Sequence, residues 1–255
     1  MIKMRLHYAK EEQACLLSHH EIQAALVRWL RRSDLPLMYT EGFNERVRIE
    51  TGIPTAVGMA SNAEYVDVFL ASATPMEARI AALDQTTPPG IRLFGATDIA
   101  LATPSLMALP MILRYDLAWP RSCTLDAGAM KDAAAAFLAR ETVPVNRENS
   151  RAPGTREPRR PRQAKDIRAY VLTVQFVSRM PVHIHIGVFF DQTGTIRMDE
   201  IMTHILGLSA TDVPRPVCTR DSVLIKIDDV FVDPMTVEPP TASRRVPRKR
   251  HAAPA

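Results

Sequence analysis

Residues 18–34, SHHEIQAALVRWLRRSD, carry the clearest structural signal in the sequence. Apolar residues recur there three and four positions apart, among them Leu26 and Trp29, so they share one face of a helix. Ser18, followed three residues later by Glu21, is typical of a capping box. The stretch therefore predicts an amphipathic helix with a well-marked start.

Strand patterns flank this helix on both sides, and a second helix pattern follows. In order, the remaining elements are a strand KMRLHYA (3–9), strands RVRIETGIP (46–54) and AEYVDVFLA (63–71), a helix TPMEARIAAL (74–83) and a strand IRLFGATDIA (91–100). Thr74 is the expected N-cap of the second helix, with Pro75 at its first position and Glu77 completing a capping box. The order β-α-β-β-α-β is that of a ferredoxin-like unit.

The second half of the chain repeats this order. Its elements are a strand MILRYDLAW (111–119), a helix DAGAMKDAAAAFLARE (126–141), strands IRAYVLTVQFV (167–177) and VHIHIGVFF (182–190), a helix GTIRMDEIMTHILGL (194–208) and a strand DSVLIKIDDVFV (221–232). Asp126 is the expected N-cap of the first of these helices. The sequence thus predicts an α+β protein with one ferredoxin-like half at 1–103 and another at 104–238. A basic insertion at about 147–165 and a disordered basic tail at 239–255 complete the expected organisation.

Composition places the chain among ordinary globular proteins, with 46% hydrophobic residues. No apolar run approaches the roughly 18–20 residues that a transmembrane helix needs, and the first residues lack the apolar core of a signal peptide. The three cysteines are odd in number and far apart, which argues against a disulfide framework. We therefore expect a cytoplasmic protein without membrane contact.

Positive charge is concentrated in two segments, although the net charge is only +4. Residues 147–168 contain eight Arg or Lys and three acids, and the tail segment RRVPRKRH (244–251) adds five more basic residues. Such segments suit contacts with phosphates, where each neutralised phosphate releases counterions. A solubilising linker and tail would explain the same pattern.

The connection TEGFNERVRIE (40–50) contains an unusual combination of residues. Phe43 is flanked by polar residues and could be either a hydrophobic plug or an exposed stacking platform. Arg46 and Arg48 alternate with apolar residues, so they should project to the opposite face of a strand. Arginines beside an aromatic residue predict a surface for phosphates and bases. An ordinary helix-to-strand connection is the alternative.

Histidines and acids offer only isolated catalytic candidates. His19 lies in the first turn of the predicted helix, and Asp116, Asp166 and Asp199 could each serve as a general base. Motifs of catalytic triads, P-loops and zinc proteases are not found. The sequence therefore leaves the catalytic residues unknown, with His19 and Asp166 as weak candidates.

His183 and His185 alternate within one predicted strand and should point to the same face. Two such histidines can bind zinc, but a site needs a third ligand and an open position. The spacing of His204 and the cysteines does not specify that ligand, so we expect no metal site.

Four segments carry a resemblance to a known family. They are LSHHEIQAALVRWLRRSDLPLMYTEGFNERVRI (17–49), GIPTAVGMASNAEYVDVFL (52–70), DIRAYV (166–171) and GTIRMDEIMTHILGL (194–208). In that order they resemble the radical-SAM-linked proteins of the DUF2344 type, which show an S-H-x-[DE] helix start, a G-F-N-P turn and an S-x-A-E-Y-x-D strand. The resemblance covers most of residues 1 to 225. It departs at Glu45, where a proline is usual, and at Arg46 and Met198.

The resemblance implies a companion role, because family members are fused to, or encoded beside, a radical SAM protein. The partner would carry the iron–sulfur cluster and S-adenosylmethionine. This chain lacks a C-x-x-x-C-x-x-C loop, so we expect no cofactor in the chain itself. The family-like positions are Ser18, His19, Glu21, Gly42, Phe43, Asn44, Glu64, Tyr65, Asp67, Asp166, Arg168, Gly194 and Arg197.

The leading hypothesis is an accessory RNA-binding protein that works with a radical SAM enzyme in RNA or ribosome-related modification. The expected RNA-binding residues are Arg28, Arg32, Phe43, Asn44, Arg46, Arg48, Arg168 and Arg197. One alternative is an enzyme that modifies or cleaves RNA itself. Another is a protein-docking module for the radical SAM partner that makes no contact with nucleic acid.

Overall fold

The computed structural model describes residues 1–147, 164–209 and 214–236. These residues form a mixed α+β fold with one large sheet. Its strands are β1 (Ile2–Lys10), β2 (Ile49–Thr51), β3 (Ala60–Leu70), β4 (Ile91–Ile99), β5 (Met111–Ala118), β6 (Pro144–Asn146), β7 (Ala164–Asp166), β8 (Val171–Arg179), β9 (Val182–Phe190), β10 (Val217–Ile227) and β11 (Val230–Val232). Its helices are α1 (His19–Arg32), α2 (Met76–Asp84), α3 (Ala127–Leu138) and α4 (Met198–Glu200). Most of the expected basic insertion and the whole expected tail lie outside the described residues.

Nine of the described strands form the large sheet, in the order β4-β1-β3-β10-β5-β9-β8, with β2 paired to β3 and β11 paired to β10. Neighbouring strands are antiparallel except for β3 and β10, which run parallel. That parallel contact consists of Thr219 opposite Ala60 and Arg220 opposite Ser61. The two halves of the sheet are therefore joined by a short ladder. Strands β6 and β7 pair separately.

The start of α1 confirms the predicted capping box. Ser18 is the N-cap; its hydroxyl accepts a hydrogen bond from the Glu21 backbone N–H at 3.4 Å. In return, the Glu21 carboxylate accepts from the Ser18 backbone N–H at 2.8 Å. Asp126 likewise caps α3, where its carboxylate accepts from the N–H groups of Gly128 and Ala129. Local sequence signals thus determine where both helices begin.

The predicted cap of α2 is wrong. The N-cap is Pro75, and no side chain caps this helix end. Pro75 has an extended backbone with ψ of 140°, so the helix starts one residue later than predicted and Thr74 lies outside it.

Three other predicted elements are shorter or broken. The strand expected at 46–54 is regular only over β2, and the helix expected at 194–208 consists of α4 followed by a π-helical turn over Ile201–Ile205. The last strand is interrupted by a reversal at Asp228 and Asp229, whose φ angles of 48° and 65° are those of a two-residue hairpin turn. β11 therefore folds back on β10.

Two hydrophobic cores pack against the sheet, and the second also includes Ala63 and Tyr65 of β3. In the first half, apolar side chains of β1 and β3 pack under α1, whose Leu26, Trp29 and Leu30 are fully buried. The Trp29 indole N–H donates to the Leu83 carbonyl at 2.9 Å, which ties α1 to α2. In the second half, β5 and β9 pack against α3 and the π-helical turn, and Phe137 and Ile205 lie at that contact.

The opposite face of β1 and β3 buries a cluster of charges. Nε and one terminal nitrogen of Arg5 donate to the two oxygens of the Asp67 carboxylate, at 2.6 and 2.8 Å, and both residues are completely buried. Lys3 lies 3.3 Å from the same carboxylate. The third donor of Arg5 reaches the Pro234 carbonyl at 3.0 Å. The end of the described chain therefore covers its first strand.

Arg220 holds the two halves of the sheet together. It lies on β10, is 1% exposed, and forms an ion pair with Glu64 of β3 at 2.7 Å. The same guanidinium donates to the carbonyls of Ile53 and Ala63, at 2.8 and 3.0 Å. The Thr55 hydroxyl donates to the Glu64 carboxylate at 3.0 Å. One side chain of the second half thus satisfies three acceptors of the first half at the short β3–β10 ladder.

We expect Arg220→Met to lower the free energy of unfolding by about 3–5 kcal/mol, because it leaves the Glu64 charge buried without its partner. Urea denaturation followed by circular dichroism measures this loss. Arg92→Gln is the matched control, because it removes an exposed partner of the Glu11 ion pair and should change stability far less. Equal losses in the two variants would contradict the assigned role of Arg220.

Candidate functional site

The connection between α1 and β3 forms an arm, termed here the basic hairpin (residues 37–49). Its two sides pair through Tyr39 and Val47, and the Arg48 N–H donates to the Met38 carbonyl at 2.8 Å. The Met38 N–H in turn donates to the Phe69 carbonyl at 2.8 Å, so the arm is attached to the edge of β3. Residues 41–45 at its tip are exposed. The sheet therefore holds this arm by its base and leaves its tip in solvent.

Arginines and aromatic rings lie close together at the basic hairpin and at its base, where Arg31 of α1 and Phe69 of β3 contact it. Phe43 at the tip is fully exposed, which excludes the plug interpretation in this structure. The Arg48 guanidinium lies 4.1 Å from the centre of the Phe69 ring, and that of Arg31 lies 6.0 Å from the centre of the Tyr39 ring. Within the described part of the chain, no ion pair engages Arg31, Arg46 or Arg48. Their charges are available to a ligand.

The other arginines of the predicted surface lie elsewhere. Arg28 is exposed on α1, whereas Arg32 donates to the carbonyl of Thr86, just after the end of α2, at 3.4 Å. Arg168 donates to the carbonyls of Leu138 and Val171, so its guanidinium braces the end of α3 against β8. Arg197 is exposed before α4. The structure thus gathers part of the predicted surface at the basic hairpin and gives Arg168 a structural contact.

Asp166, one of the weak catalytic candidates, also has local structural bonds. Its carboxylate accepts from the backbone N–H groups of Val143 and Arg168, at 2.8 and 3.0 Å. These hydrogen bonds hold the connection between β7 and the turn that precedes β8. They give Asp166 a structural role that requires no part in catalysis.

His19, the other weak candidate, lines a small pocket between α1 and the sheet. The pocket walls include Lys10, Glu64 and Tyr65, with Thr55 beside them. Burial lowers the pKa of Lys10 despite the nearby Glu64 carboxylate, and burial also raises the pKa of Tyr65. The structure therefore brings three family-like positions, His19, Glu64 and Tyr65, to one place, and adds a buried lysine that the sequence did not single out.

Residues 3–198 match the protein family described as an uncharacterized protein conserved in bacteria (DUF2344). The chain belongs to the DUF2344 family. No curated protein matches it. The matched range includes the basic hairpin and the His19 pocket and ends at the start of α4, so Arg220 lies beyond it. Among the described residues of this family member, no helix combines the length and apolar character needed to cross a bilayer.

A groove runs between the two halves of the sheet. It is partly open to solvent. Residues 56–59 line one side, and Met198, Met202 and Cys218 lie on the other. Burial raises the pKa of the Cys218 thiol to about 12, so this cysteine stays protonated at neutral pH. The groove therefore offers apolar surface flanked by the charged Asp199 and Arg215, and its cysteine is not a reactive thiolate.

One group of side chains among the described residues has the composition and spacing of a metal site. It consists of Asp116, His183 and His185. The sequence placed both histidines on one face and left the third ligand undetermined. Because β5 and β9 are neighbours, Asp116 lies directly opposite His185.

Arg147, at the start of the expected basic insertion, is bound within the fold. Its guanidinium donates twice to the Glu200 carboxylate, at 2.7 and 2.6 Å, and once to the Thr195 carbonyl. Glu200 also accepts from the Arg197 backbone N–H at 2.8 Å. Burial opposes ionisation of Glu200, but the Arg147 and Arg197 hydrogen bonds outweigh it, so the pKa of Glu200 is lowered.

A lowered pKa predicts a specific pH dependence for Glu200→Gln. The stabilisation from the ionised carboxylate is fully present above the unfolded-state pKa near 4.5 and is lost as pH falls through the lower folded-state pKa. At neutral pH we expect Glu200→Gln to lower the free energy of unfolding by about 1.5–3 kcal/mol. Urea denaturation between about pH 7 and pH 3 should show the gap to wild type closing at the acidic end. A gap independent of pH would contradict the role of the charge.

Proposed function

We propose that this DUF2344 protein is an accessory RNA-binding protein that works with a radical SAM enzyme. The observation that carries the RNA-binding part is the basic hairpin, which presents the exposed rings of Tyr39 and Phe43 together with arginines that make no ion pair among the described residues. Arginines supply phosphate contacts, and an exposed ring supplies a face on which a base of any sequence can stack. The combination favours single-stranded or looped RNA, whose bases are free to stack.

The proposal includes two ferredoxin-like halves. Strand orders β4-β1-β3-β2 and β10-β5-β9-β8 support it, since each places the first and third strands of a β-α-β-β-α-β series at the centre. Antiparallel pairing within each set is further support. The boundaries at 1–103 and 104–238 remain a prediction.

The radical SAM partner rests on the family resemblance given by the sequence. In this proposal the chain presents RNA, and the partner supplies the iron–sulfur cluster, S-adenosylmethionine and the reaction. Asp166 does not argue for catalysis by this chain itself, because its carboxylate already accepts hydrogen bonds from two backbone N–H groups. Co-elution of this chain with its radical SAM partner on size exclusion is the direct test of the association.

We expect Arg46→Ala/Arg48→Ala to weaken binding of a mixed-sequence single-stranded RNA roughly 25-fold at about 0.1 M salt, with the log–log salt slope shallower by about 1.4. Fluorescence anisotropy at several salt concentrations measures both quantities. The full chain is used, with the five basic residues at 244–250 changed to glutamine in every variant so that the tail cannot mask the effect.

Arg92→Ala/Arg179→Ala is the charge-matched control for this measurement. It removes two exposed arginines from β4 and β8, which form the opposite edges of the large sheet. The control should bind RNA nearly as well as the parent chain. An equal loss in both double variants would mean that overall charge, and not the basic hairpin, determines affinity.

We expect Phe43→Ala to weaken RNA binding by about 1–3 kcal/mol, the usual contribution of one base stacked on an aromatic ring. The melting temperature should stay unchanged, because the ring is fully exposed and packs against nothing. Phe43→Tyr should retain affinity, since it keeps the stacking face. Unchanged RNA affinity in Phe43→Ala would remove the stacking role.

The groove between the halves favours a second candidate function, docking onto a protein without RNA contact. Val57 is 61% exposed at its rim, and two methionines on the other side provide adaptable apolar surface. Co-elution with the radical SAM protein together with no measurable RNA affinity would favour this candidate over the first.

A further inference from the structure

We propose that Asp116, His183 and His185 form a binding site for a divalent transition-metal ion of the zinc type. The site lies on the sheet face of β5 and β9 that points away from α3. It is independent of the proposed RNA surface, which belongs to the first half of the chain. Two imidazoles and one carboxylate are a donor set that zinc and neighbouring metals accept, and they leave coordination positions for water or a substrate.

The backbone places the three donors on one face. His183 and His185 are two residues apart in β9, so their side chains project on the same side. β5 and β9 pair without a bulge from Met111 opposite Phe190 to Ala118 opposite His183, and this register sets Asp116 beside His185. The ligands are thus mounted on two hydrogen-bonded central strands, which hold side chains more firmly than a loop does.

The side chains already converge. Nε2 of His183 is hydrogen-bonded to the Asp116 carboxylate, and Nε2 of His185 lies 3.7 Å from the same oxygen. One ligand atom from each residue lies within 4.8 Å of the other two. In a tetrahedral site with bonds of about 2.0–2.2 Å, ligand atoms lie roughly 3.3–3.6 Å apart. Small side-chain rotations therefore suffice to enclose an ion.

The site is open to an incoming ion. The side chains of His183, Asp116 and His185 are 30%, 32% and 52% exposed. A bond between His183 and Asp116 alone would account for those two residues. It does not account for His185, whose ring packs edge-on against His183 and points its nitrogen to the same carboxylate. A shared ion explains all three orientations.

Polar residues on the two flanking strands lie next to the three proposed ligands. Gln175 of β8 is the register partner of His185, and Thr219 of β10 is the register partner of Asp116. Directly paired residues share a face of the sheet. These two positions can supply a further ligand or hydrogen bonds to a metal-bound water, the usual role of residues just outside a metal site.

Metal titration of the chelator-treated full chain, produced without a histidine tag, tests the proposal. Co²⁺ gives visible d–d absorption when bound by such a donor set, and Zn²⁺ competition then reports the zinc affinity. We expect one Co²⁺ per chain, displaced by one Zn²⁺. Each of His183→Ala, His185→Ala and Asp116→Asn should weaken binding beyond the roughly 10–100-fold caused by losing an outer hydrogen-bond partner.

His20→Ala/His204→Ala is the matched control, because it removes two exposed histidines from α1 and the π-helical turn. It should bind Co²⁺ like wild type. Melting curves without metal establish which variants fold; if His183→Ala does not, His185→Gln at a half-exposed position gives the same test. Absence of stoichiometric binding by wild type, or wild-type affinity in folded His185→Gln, would overturn the proposal.

Discussion

The ion pair between Arg220 and Glu64 is the contact on which the arrangement of the whole sheet depends. The backbone ladder between β3 and β10 comprises two residue pairs, too few to fix the orientation of two large half-sheets. Arg220 adds three directional bonds to the first half and is 1% exposed. A charge at that depth is costly unless its partners are in place. The buried guanidinium therefore favours one register of β10 against β3 over neighbouring registers.

The junction between β3 and β10 also determines where the groove and the basic hairpin lie. Because the halves meet edge to edge, each keeps one helix-covered face, and the groove opens between residues 56–59 and the start of β10. The basic hairpin is attached to the part of β3 that β10 leaves free, since β2 pairs with residues 66–68 and β10 with residues 60–61. The same strand thus serves the junction at one end and the proposed RNA surface at the other.

Sequence reasoning succeeded where the controlling interactions are local. The capping box of Ser18 and Glu21 spans four residues, and it predicted the start of α1 correctly. It failed where distant contacts decide: Glu64 and Arg220 are 156 positions apart, and no periodicity connects them. Asp116 was visible as an acid, but its placement beside His185 depends on strand order. The turn at Asp228 and Asp229 was missed because apolar residues on both sides of it gave the pattern of one uninterrupted strand.

The Arg5 contact with the Pro234 carbonyl bears on how the protein is made. Arg5 and its acceptor are separated by 229 positions along the chain. At about 5–20 residues per second, a ribosome needs roughly 10–50 s to synthesise the stretch between them. During that time the first half can form its helices and its Trp29 core, but its buried arginine lacks the carbonyl that completes its bonds. The N-terminal half can therefore complete this buried contact only after residue 234 has been synthesised.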